Sequence, residues 1–363
     1  MSSTKMRIGI LTFHCAHNYG AVLQAFALKE HLKSYNKDVD VVNYIPSYFN
    51  GYDRNCSIKD CVSTSILRFV KNLIFYPLVK RRHNAFSSFI AKRICPSKKK
   101  YNSKDTISGY DTLIYGSDQI WNGLHTNGAD NVYWGYMTPD GVKKITYAAS
   151  SSCVFFVGDR ARYVMNALKN FNSISVRENS IARLLQKYTT QTIHCVVDPV
   201  FLLTKEEWET KLELNFSSDK YVLVYQVREN PLTLKVAKDY ARKNNLKVII
   251  LTKIVYQRFD FRLNQTATPE SFVGLIRNAS LVVTTSFHGT ALSIIFRKNF
   301  YTISISEEID ERSNSLLQSI GLGDRLISKC PNQYDSPLYN DVVTSRLDKL
   351  ILNSKEYLKN AII

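Results

Sequence analysis

Residues 281–296 read LVVTTSFHGTALSIIF, an apolar run, a short polar turn and a second apolar run with helical spacing. A continuous apolar run of this length predicts a strand buried on both faces of a parallel sheet. His288 stands where the predicted strand gives way to the predicted helix. Ligands of α/β folds bind at the carboxyl ends of strands, and histidine suits proton transfer near neutral pH. His288 is therefore the leading proton-transfer candidate, with a packed core histidine as the alternative.

The same pattern of strand, turn and helix recurs along the chain. Strands are predicted at 7–13, 38–44, 112–115, 144–149, 173–177 and 196–198, and again at 221–227, 248–252, 281–285 and 300–303. Helices are predicted between them, at 21–34, 180–188, 232–244, 269–279 and 290–296. Two such series predict an α/β protein with two doubly wound, Rossmann-like domains. We place the N-terminal domain at residues 1–205, the C-terminal domain at 206–340, and at 341–363 a terminal helix that packs back on the N-terminal domain.

The chain is strongly basic. Its 363 residues include 48 Lys and Arg against 31 Asp and Glu, a formal net charge of +17, which favours an anionic partner. Residues 63–105, assigned to the N-terminal domain as an insertion, hold eleven of these bases and one acid, Asp105. The segment 66–82, ILRFVKNLIFYPLVKRR, mixes apolar and basic side chains as a helix lying on an anionic membrane does. A helix packed on its domain with solvated lysines is the favoured interpretation, and no motif supports nucleic acid.

The cysteines and the first residues of the chain indicate the cellular compartment of the protein. The seven cysteines, at positions 15, 56, 61, 95, 153, 195 and 330, form no CxxC pair, which favours reduced thiols over disulfides or a zinc site. The first residues predict no signal peptide, and no apolar run reaches the length of a transmembrane helix. We expect a cytoplasmic protein without metal or cofactor, peripheral to the inner face of the plasma membrane if the basic segment 66–104 binds lipid.

The turn HCAHNYG, residues 14–20, joins the first predicted strand to a helix. Backbone N–H groups at a helix start can hold an anion, and Gly20 allows a ligand to approach closely. His17 and Asn18 are candidates to contact that ligand, and helix capping is the alternative. The turn is not GxGxxG, so a dinucleotide site has little support.

A second turn, YGSDQIWN at residues 115–122, follows another predicted strand. Asp118 could accept a proton from a hydroxyl group, and Trp121 could stack on a sugar face. The alternative is that Ser117 and Asp118 cap a helical turn and that Trp121 belongs to the core.

A third turn lies in SISVRENS, residues 173–180. Arg177 precedes a predicted helix start, and a guanidinium beside free backbone donors suits a carboxylate or a phosphate. A surface pairing of Arg177 with Glu178 is the alternative, and such a pair stabilises little.

Five segments together resemble the polysaccharide pyruvyl transferase family. In order they are GILTFHCAHNYGAVLQAFAL (9–28), YGSDQIWN (115–122), SISVRENS (173–180), VVDPVFLL (196–203) and TTSFHGTALSIIF (284–296). The resemblance implies a GT-B-like pair of Rossmann-type domains with the active site in the cleft between them. It also implies transfer of the enolpyruvyl group of phosphoenolpyruvate to two hydroxyls of one sugar of a surface polysaccharide, leaving a pyruvate ketal.

The resemblance also implies residue roles. The family's general-acid histidine falls on His288, and an arginine that holds phosphoenolpyruvate falls on Arg177. Members often carry an arginine where this chain has Ser286, so Arg297, Arg277 or a lysine is expected to supply that charge, or the donor differs. Asp118 or His17 is expected to assist hydroxyl deprotonation. The other candidate substrate-binding residues are Asn18, Tyr19, Gly20, Ser117, Gln119, Trp121, Asn179, Gly289 and Thr290.

Two other functions fit the same architecture. A glycosyltransferase using a nucleotide sugar would need an acidic residue for the base or ribose, and Glu270 is the candidate. A non-catalytic glycan- or lipid-binding protein is the third hypothesis. For the leading hypothesis, pyruvyl transfer, the basic apolar segment 66–104 favours an acceptor carried on an undecaprenyl-type lipid.

Overall fold

The structure is a computed structural model that describes residues 5–35, 37–49, 65–151, 156, 158, 160–258, 260–334 and 338–363. Cysteines 56, 61 and 153 and residues 63–64 of the basic segment lie outside the described residues. The strands are β1 (Arg7–Leu11), β2 (Asp38–Tyr44), β3 (Pro96–Tyr101), β4 (Thr112–Tyr115), β5 (Lys143–Thr146), β6 (Ile174–Val176), β7 (Ile193–Cys195), β8 (Tyr221–Gln226), β9 (Lys247–Thr252), β10 (Leu263–Asn264), β11 (Leu281–Thr284), β12 (Asn299–Ile303) and β13 (Leu326–Ile327).

The α-helices are α1 (Tyr19–Lys33), α2 (Ile66–Phe89), α3 (Arg160–Leu168), α4 (Asn179–Leu185), α5 (Lys205–Lys211), α6 (Pro231–Lys243), α7 (Pro269–Asn278), α8 (Phe287–Ile295), α9 (Glu307–Ile320) and α10 (Asp341–Ile362). A π-helical turn, Ile90–Ile94, follows α2, and short 3₁₀ turns lie at Ser47–Phe49, Pro199–Leu202 and Gly323–Arg325. No helix of the described residues is both long and apolar enough to cross a lipid bilayer.

Two parallel sheets organise the chain. The first has the order β3-β2-β1-β4-β5 and the second the order β10-β9-β8-β11-β12-β13, with every pairing parallel. Counted from the first strand of each sheet, the orders are 3-2-1-4-5 and 3-2-1-4-5-6, the sequence of strands in a Rossmann fold. The prediction of two Rossmann-like α/β domains is therefore confirmed. The pair β6-β7 continues the first sheet through the isolated bridge Ile145↔Ser173.

The apolar runs form strands whose two faces are both buried. Every residue of β4 and of β11 is buried. Polar residues fix where the helices begin: Asn18 caps α1, and Thr268 caps α7 with Pro269 as its first residue. The predicted strand 196–198 is displaced, since β7 ends at Cys195.

The chain divides into two compact units. Unit 1 comprises the described residues up to 49 together with Ile90–Leu203 and Leu347–Ile363; unit 2 comprises the described part of Arg54–Phe89 and Thr204–Arg346. Within unit 1, the Ser354 hydroxyl accepts from the Val197 amide at 2.9 Å, which fixes α10 in place.

The basic segment 63–105 differs from the prediction, which placed all of it in the N-terminal domain. Its first part, α2, belongs to unit 2. The cause is a buried arginine: Arg82 donates to the carbonyl of Lys253 at 2.6 Å and to that of Gln265 at 3.3 Å. Gln257 adds a bond to the Asn72 side chain at 2.7 Å. Only residues from Ile90 onward belong to unit 1.

Candidate functional site

The loops at the carboxyl edge of the first sheet are joined by side-chain hydrogen bonds. The Thr12 hydroxyl, just after β1, donates to the carbonyl of Ser117, just after β4, at 2.9 Å. It accepts from Gln24 of α1 at 2.8 Å. The Ser117 hydroxyl lies 3.4 Å from Asp198 Oδ2. The structure thus brings Ser117 to Asp198, a residue whose role sequence analysis had not identified.

Arg177 lies at this edge and is enclosed by carboxylates. Its Nη1 donates to Asp198 Oδ2 at 2.6 Å and its Nε to Glu178 Oε1 at 3.1 Å, with all three side chains at most 3% exposed. Ser150 donates to the same Glu178 oxygen at 2.7 Å. Burial acts to lower the pKa of Arg177, but the charges of Glu178, Asp198 and Asp118 outweigh it and raise that pKa. The guanidinium expected to stand open to a ligand is instead engaged by acids of its own unit.

Asp118 is held in a constrained turn. Its φ is +74°, its side chain accepts from the Gln119 amide at 2.8 Å, and both residues are half-buried. Gly116 immediately precedes the turn with φ +116°, and a Cβ there would lie 2.3 Å from the Tyr147 carbonyl oxygen. Only glycine fits at position 116, so close packing constrains the backbone that leads into Asp118.

Trp121 requires a correction, because it does not lie where a sugar could stack on it. The side chain is fully buried and stacks on Trp134, with ring centroids 4.4 Å apart and an interplanar angle of 6°. Its indole N–H donates to the Tyr133 carbonyl at 3.0 Å. Both faces and the polar edge of the ring are therefore used in the core, as the alternative interpretation held.

The turn after β1 is used chiefly to start α1. The Asn18 side chain accepts from the amides of Gly20 at 2.9 Å and Ala21 at 3.3 Å, so Asn18 is a helix cap. Tyr19 and Gly20 are buried within the first turn of α1. His17 is half-buried, and Asn179 is exposed at the start of α4. These last two stay candidates for ligand contact.

In unit 2 the polar residues at the start of α8 hold the helix on its sheet. Ser286 caps α8 by accepting from the Gly289 amide at 3.3 Å. The Thr290 hydroxyl donates to the Ser286 carbonyl at 3.1 Å and lies 2.6 Å from the Thr302 hydroxyl. A Cβ on Gly289 would lie 2.5 Å from Thr284 Oγ1. Ser286, Gly289 and Thr290 were all predicted to bind substrate, and in the structure each has a role in folding.

His288 occupies the first turn of α8, directly after the central strand β11. It is 7% exposed, and its ring meets that of Phe287 edge to face at 5.2 Å. The start of a helix carries partial positive charge, so an anion is favoured beside this imidazole. The neighbouring loop after β8 is held there by Thr285, which donates to the Arg228 carbonyl at 2.9 Å.

The arginines near α8 differ in which end of the helix they reach. Arg297 lies beyond the C-terminal end of α8, about 15 Å along the helix axis from its start. Arg277 lies in the last turn of α7 and pairs with Glu209 at 2.8 Å. Neither therefore serves as the replacement expected for the arginine absent at position 286. Arg312 of α9 does approach the N-terminal end of α8, with its guanidinium carbon 5.9 Å from the centre of the Phe287 ring.

Two further candidate groups can be placed. Glu270 is half-buried in the first turn of α7. Among the described residues, no cluster of three or more His, Cys, Asp or Glu side chains could hold a metal ion. The described cysteines, at positions 15, 95, 195 and 330, form no disulfide with one another.

The family model for polysaccharide pyruvyl transferase matches residues 18–307, most of the chain. The chain belongs to the polysaccharide pyruvyl transferase family. The match spans both Rossmann-like units and includes the turns that carry Asp118, Arg177 and His288. Among curated proteins, none matches this member of the pyruvyl transferase family.

Solved structures similar to this pyruvyl transferase family member include three sugar-modifying enzymes. The UDP-GlcNAc 2-epimerase of Methanocaldococcus jannaschii is 10% identical, with 96% of this chain and 100% of that chain covered and a TM-score of 0.46. The Neisseria meningitidis epimerase bound to UDP-GlcNAc is 10% identical, with 99% and 94% covered and a TM-score of 0.44. A heptosyltransferase of E. coli with ADP is 11% identical, with 95% and 100% covered and a TM-score of 0.39.

Proposed function

We propose that this protein transfers the pyruvyl group of phosphoenolpyruvate to two hydroxyls of one sugar in a polysaccharide repeat unit, forming a cyclic ketal. Family membership supports the reaction class. The observation that carries the proposal is the position of His288, in the first turn of α8 at the end of the central strand β11. A proton donor is thereby combined with the positive end of a helix, which suits the anionic substrate phosphoenolpyruvate.

His288 acts as the general acid in this proposal. Its imidazolium protonates the methylene carbon of phosphoenolpyruvate, which leaves an oxocarbenium-like centre at C2. One sugar hydroxyl forms a C–O bond to C2, and the second forms another as the C2–O bond to phosphate breaks. Of the two protons released by the hydroxyls, one restores the imidazolium and the other leaves on phosphate. The carbon that was methylene ends as a methyl group.

The donor's negative charge needs a cation that Ser286 does not supply. Ser286 is used as the cap of α8. Arg312, whose guanidinium lies against the Phe287 ring, is the cation that we assign to the donor's phosphate or carboxylate. An arginine fork over an aromatic ring is held in one plane, which suits bidentate contact with either group.

Unit 1 is proposed to bind the acceptor. Asp118 is half-buried in its constrained turn, and we assign it the role of the base that first takes up the hydroxyl proton that then leaves on phosphate. His17, Gln119 and Asn179 are partly or fully exposed at the same carboxyl edge and are proposed to contact the glycan. Arg177 is held by two carboxylates of its own unit, so we assign it the role of positioning residue.

The acceptor is proposed to be carried on a polyprenyl-type lipid at the cytoplasmic face of the membrane. The high net positive charge and the apolar, basic helix α2 support this assignment.

The test combines purified protein with phosphoenolpyruvate and a lipid-linked or free glycan repeat unit. The expected result is release of inorganic phosphate, together with a glycan that gains an acid-labile, ketal-linked pyruvate by mass spectrometry. Parallel reactions contain a nucleotide sugar in place of phosphoenolpyruvate. Consumption of the nucleotide sugar without phosphate release from phosphoenolpyruvate would replace the proposal by glycosyl transfer, and glycan binding with neither reaction would replace it by a binding function.

A further inference from the structure

Helix α2 exposes an apolar surface. Of the sixteen large hydrophobic residues exposed among the described residues, seven lie in the first fourteen residues of α2. Single exposed apolar residues are ordinary, whereas a cluster on one element marks an interaction surface. These seven residues, Ile66, Leu67, Phe69, Val70, Leu73, Ile74 and Val79, are called the α2 patch.

Most of the α2 patch faces away from the protein. At 100° per residue, all of its members except Val79 fall within one arc of about 160°. The buried residues of the helix, Phe75, Arg82, Phe86 and Phe89, fall on the opposite side. One face of α2 therefore packs on unit 2, and the other presents apolar side chains to the solvent. Beyond Arg81 that outer face turns polar, with Asn84 and Ser88 exposed.

The charge around the α2 patch has one sign. Arg68, Lys71, Lys80 and Arg81 are exposed on the helix, and α2 contains no Asp or Glu. An adjoining loop of unit 2 also exposes large apolar side chains. Arg82 and Gln257 tie that loop to α2, and within residues 253–261 it exposes Ile254 at 52% and Phe261 at 100%.

We propose that the α2 patch, with this loop, is a membrane-docking surface for anionic lipid bilayers. Apolar side chains flanked by Lys and Arg enter the headgroup region while the bases contact lipid phosphates. A second copy of the chain is a poorer occupant, because two such faces would bring like charges together. The proposal does not rest on pyruvyl transfer, since docking is measured without substrate.

The test measures binding of the full-length protein to phosphatidylcholine vesicles with and without about one third phosphatidylglycerol, a composition that supplies the anionic surface. Sedimentation should carry the protein down with the anionic vesicles only, and binding should weaken as salt is raised. The variant Leu67→Ser/Val70→Ser/Ile74→Ser should lower the partition coefficient at least about tenfold. Its matched control, Val342→Ser/Leu352→Ser, changes two residues that are each 56% exposed on α10, and it should bind as the wild type does.

A second pair of variants separates local from overall charge. Lys80→Glu/Arg81→Glu and Lys235→Glu/Lys238→Glu change the net charge equally, and the latter two lysines are exposed on α6. We expect loss of binding of about tenfold or more from the first variant only. The proposal is overturned if anionic vesicles do not bind the wild type, or if both charge variants lose binding equally. It is also overturned if sedimentation velocity shows a dimer that the serine variant of α2 abolishes.

Discussion

Arg177 Nη1 donates to Asp198 Oδ2 at 2.6 Å across 21 residues of sequence, and both side chains are almost completely buried. Removal of one member of such a pair leaves the other charge buried without compensation. We expect Arg177→Ala to lower the free energy of unfolding by about 3–5 kcal/mol, measured by urea denaturation. The control is Lys247→Ala, which breaks a 2.8 Å pair with Asp219 whose side chains are 57% and 63% exposed. That loss should stay below about 1 kcal/mol, and equal losses would contradict the structural role of Arg177.

His288→Gln should lower kcat by about 100-fold or more while the KM for phosphoenolpyruvate changes little, because a carboxamide cannot supply the proton. Phosphate release at steady state is the measurement. His125→Gln, at an exposed histidine of unit 1, is the control and should retain full activity. Full activity of the position 288 variant would remove His288 from the reaction.

Arg312→Gln should raise the KM for phosphoenolpyruvate about tenfold or more with kcat largely kept, because a charged hydrogen bond to the donor is lost. The matched variant Arg242→Gln removes the same charge at a side chain that is 81% exposed on α6. A KM that is unchanged in both variants would assign the donor's cation elsewhere.

Two helical glycines should respond in opposite ways to alanine. In Gly289→Ala the new Cβ would meet Thr284 Oγ1 at 2.5 Å, and Thr284 is itself fixed by its bond to the Tyr225 carbonyl. We expect a loss of about 1–3 kcal/mol in the free energy of unfolding. In Gly274→Ala, in α7, the nearest atom lies 3.9 Å away. That change should stabilise the protein by about 0.5–1 kcal/mol; thermal and urea unfolding of the two variants would reveal any departure from this order.

The pH dependence of stability should contain a contribution from His31. Burial, and secondarily Lys355, lower the pKa of His31 to about 4 in the folded state, below its ordinary value of 6.5. The unfolded chain therefore takes up a proton more readily. The stabilisation is complete above about pH 6.5 and is lost as the pH falls toward 4, by at most about 3 kcal/mol.

The check is urea unfolding at several pH values between 4 and 7. His31→Gln should flatten the pH dependence in this range. Parallel curves for the wild type and the His31 variant would show that His31 does not titrate as expected.

The fold could be predicted where apolar periodicity was strong and not elsewhere. Runs such as β4 and β11 are buried on both faces, so their composition alone identifies them. Strand β3 was missed because PSKKKY is an edge strand whose three lysines are exposed. The place of α2 in unit 2 depends on Arg82 binding carbonyls more than 170 residues away, which no local pattern reveals.

The site was harder to predict than the fold, because polar side chains at strand ends serve folding as well as binding. Asn18 and Ser286 were singled out as binding residues, and in the structure both cap helices. Arg177 directly follows β6, as the strand pattern predicted. Its partner Asp198 lies beyond β7, so the engagement of the guanidinium could not be foreseen from the local sequence.

Unit 1 is completed by residues far along the chain, since the Tyr357 hydroxyl donates to the Thr146 carbonyl across 211 residues. A nascent chain leaving the ribosome therefore exposes the first sheet long before its closing helix is synthesised. Unit 2, whose residues end at Arg346, is complete earlier. Folding during translation should then finish in the reverse of the common N-to-C order, and the unfinished first sheet is a substrate for chaperones until α10 arrives.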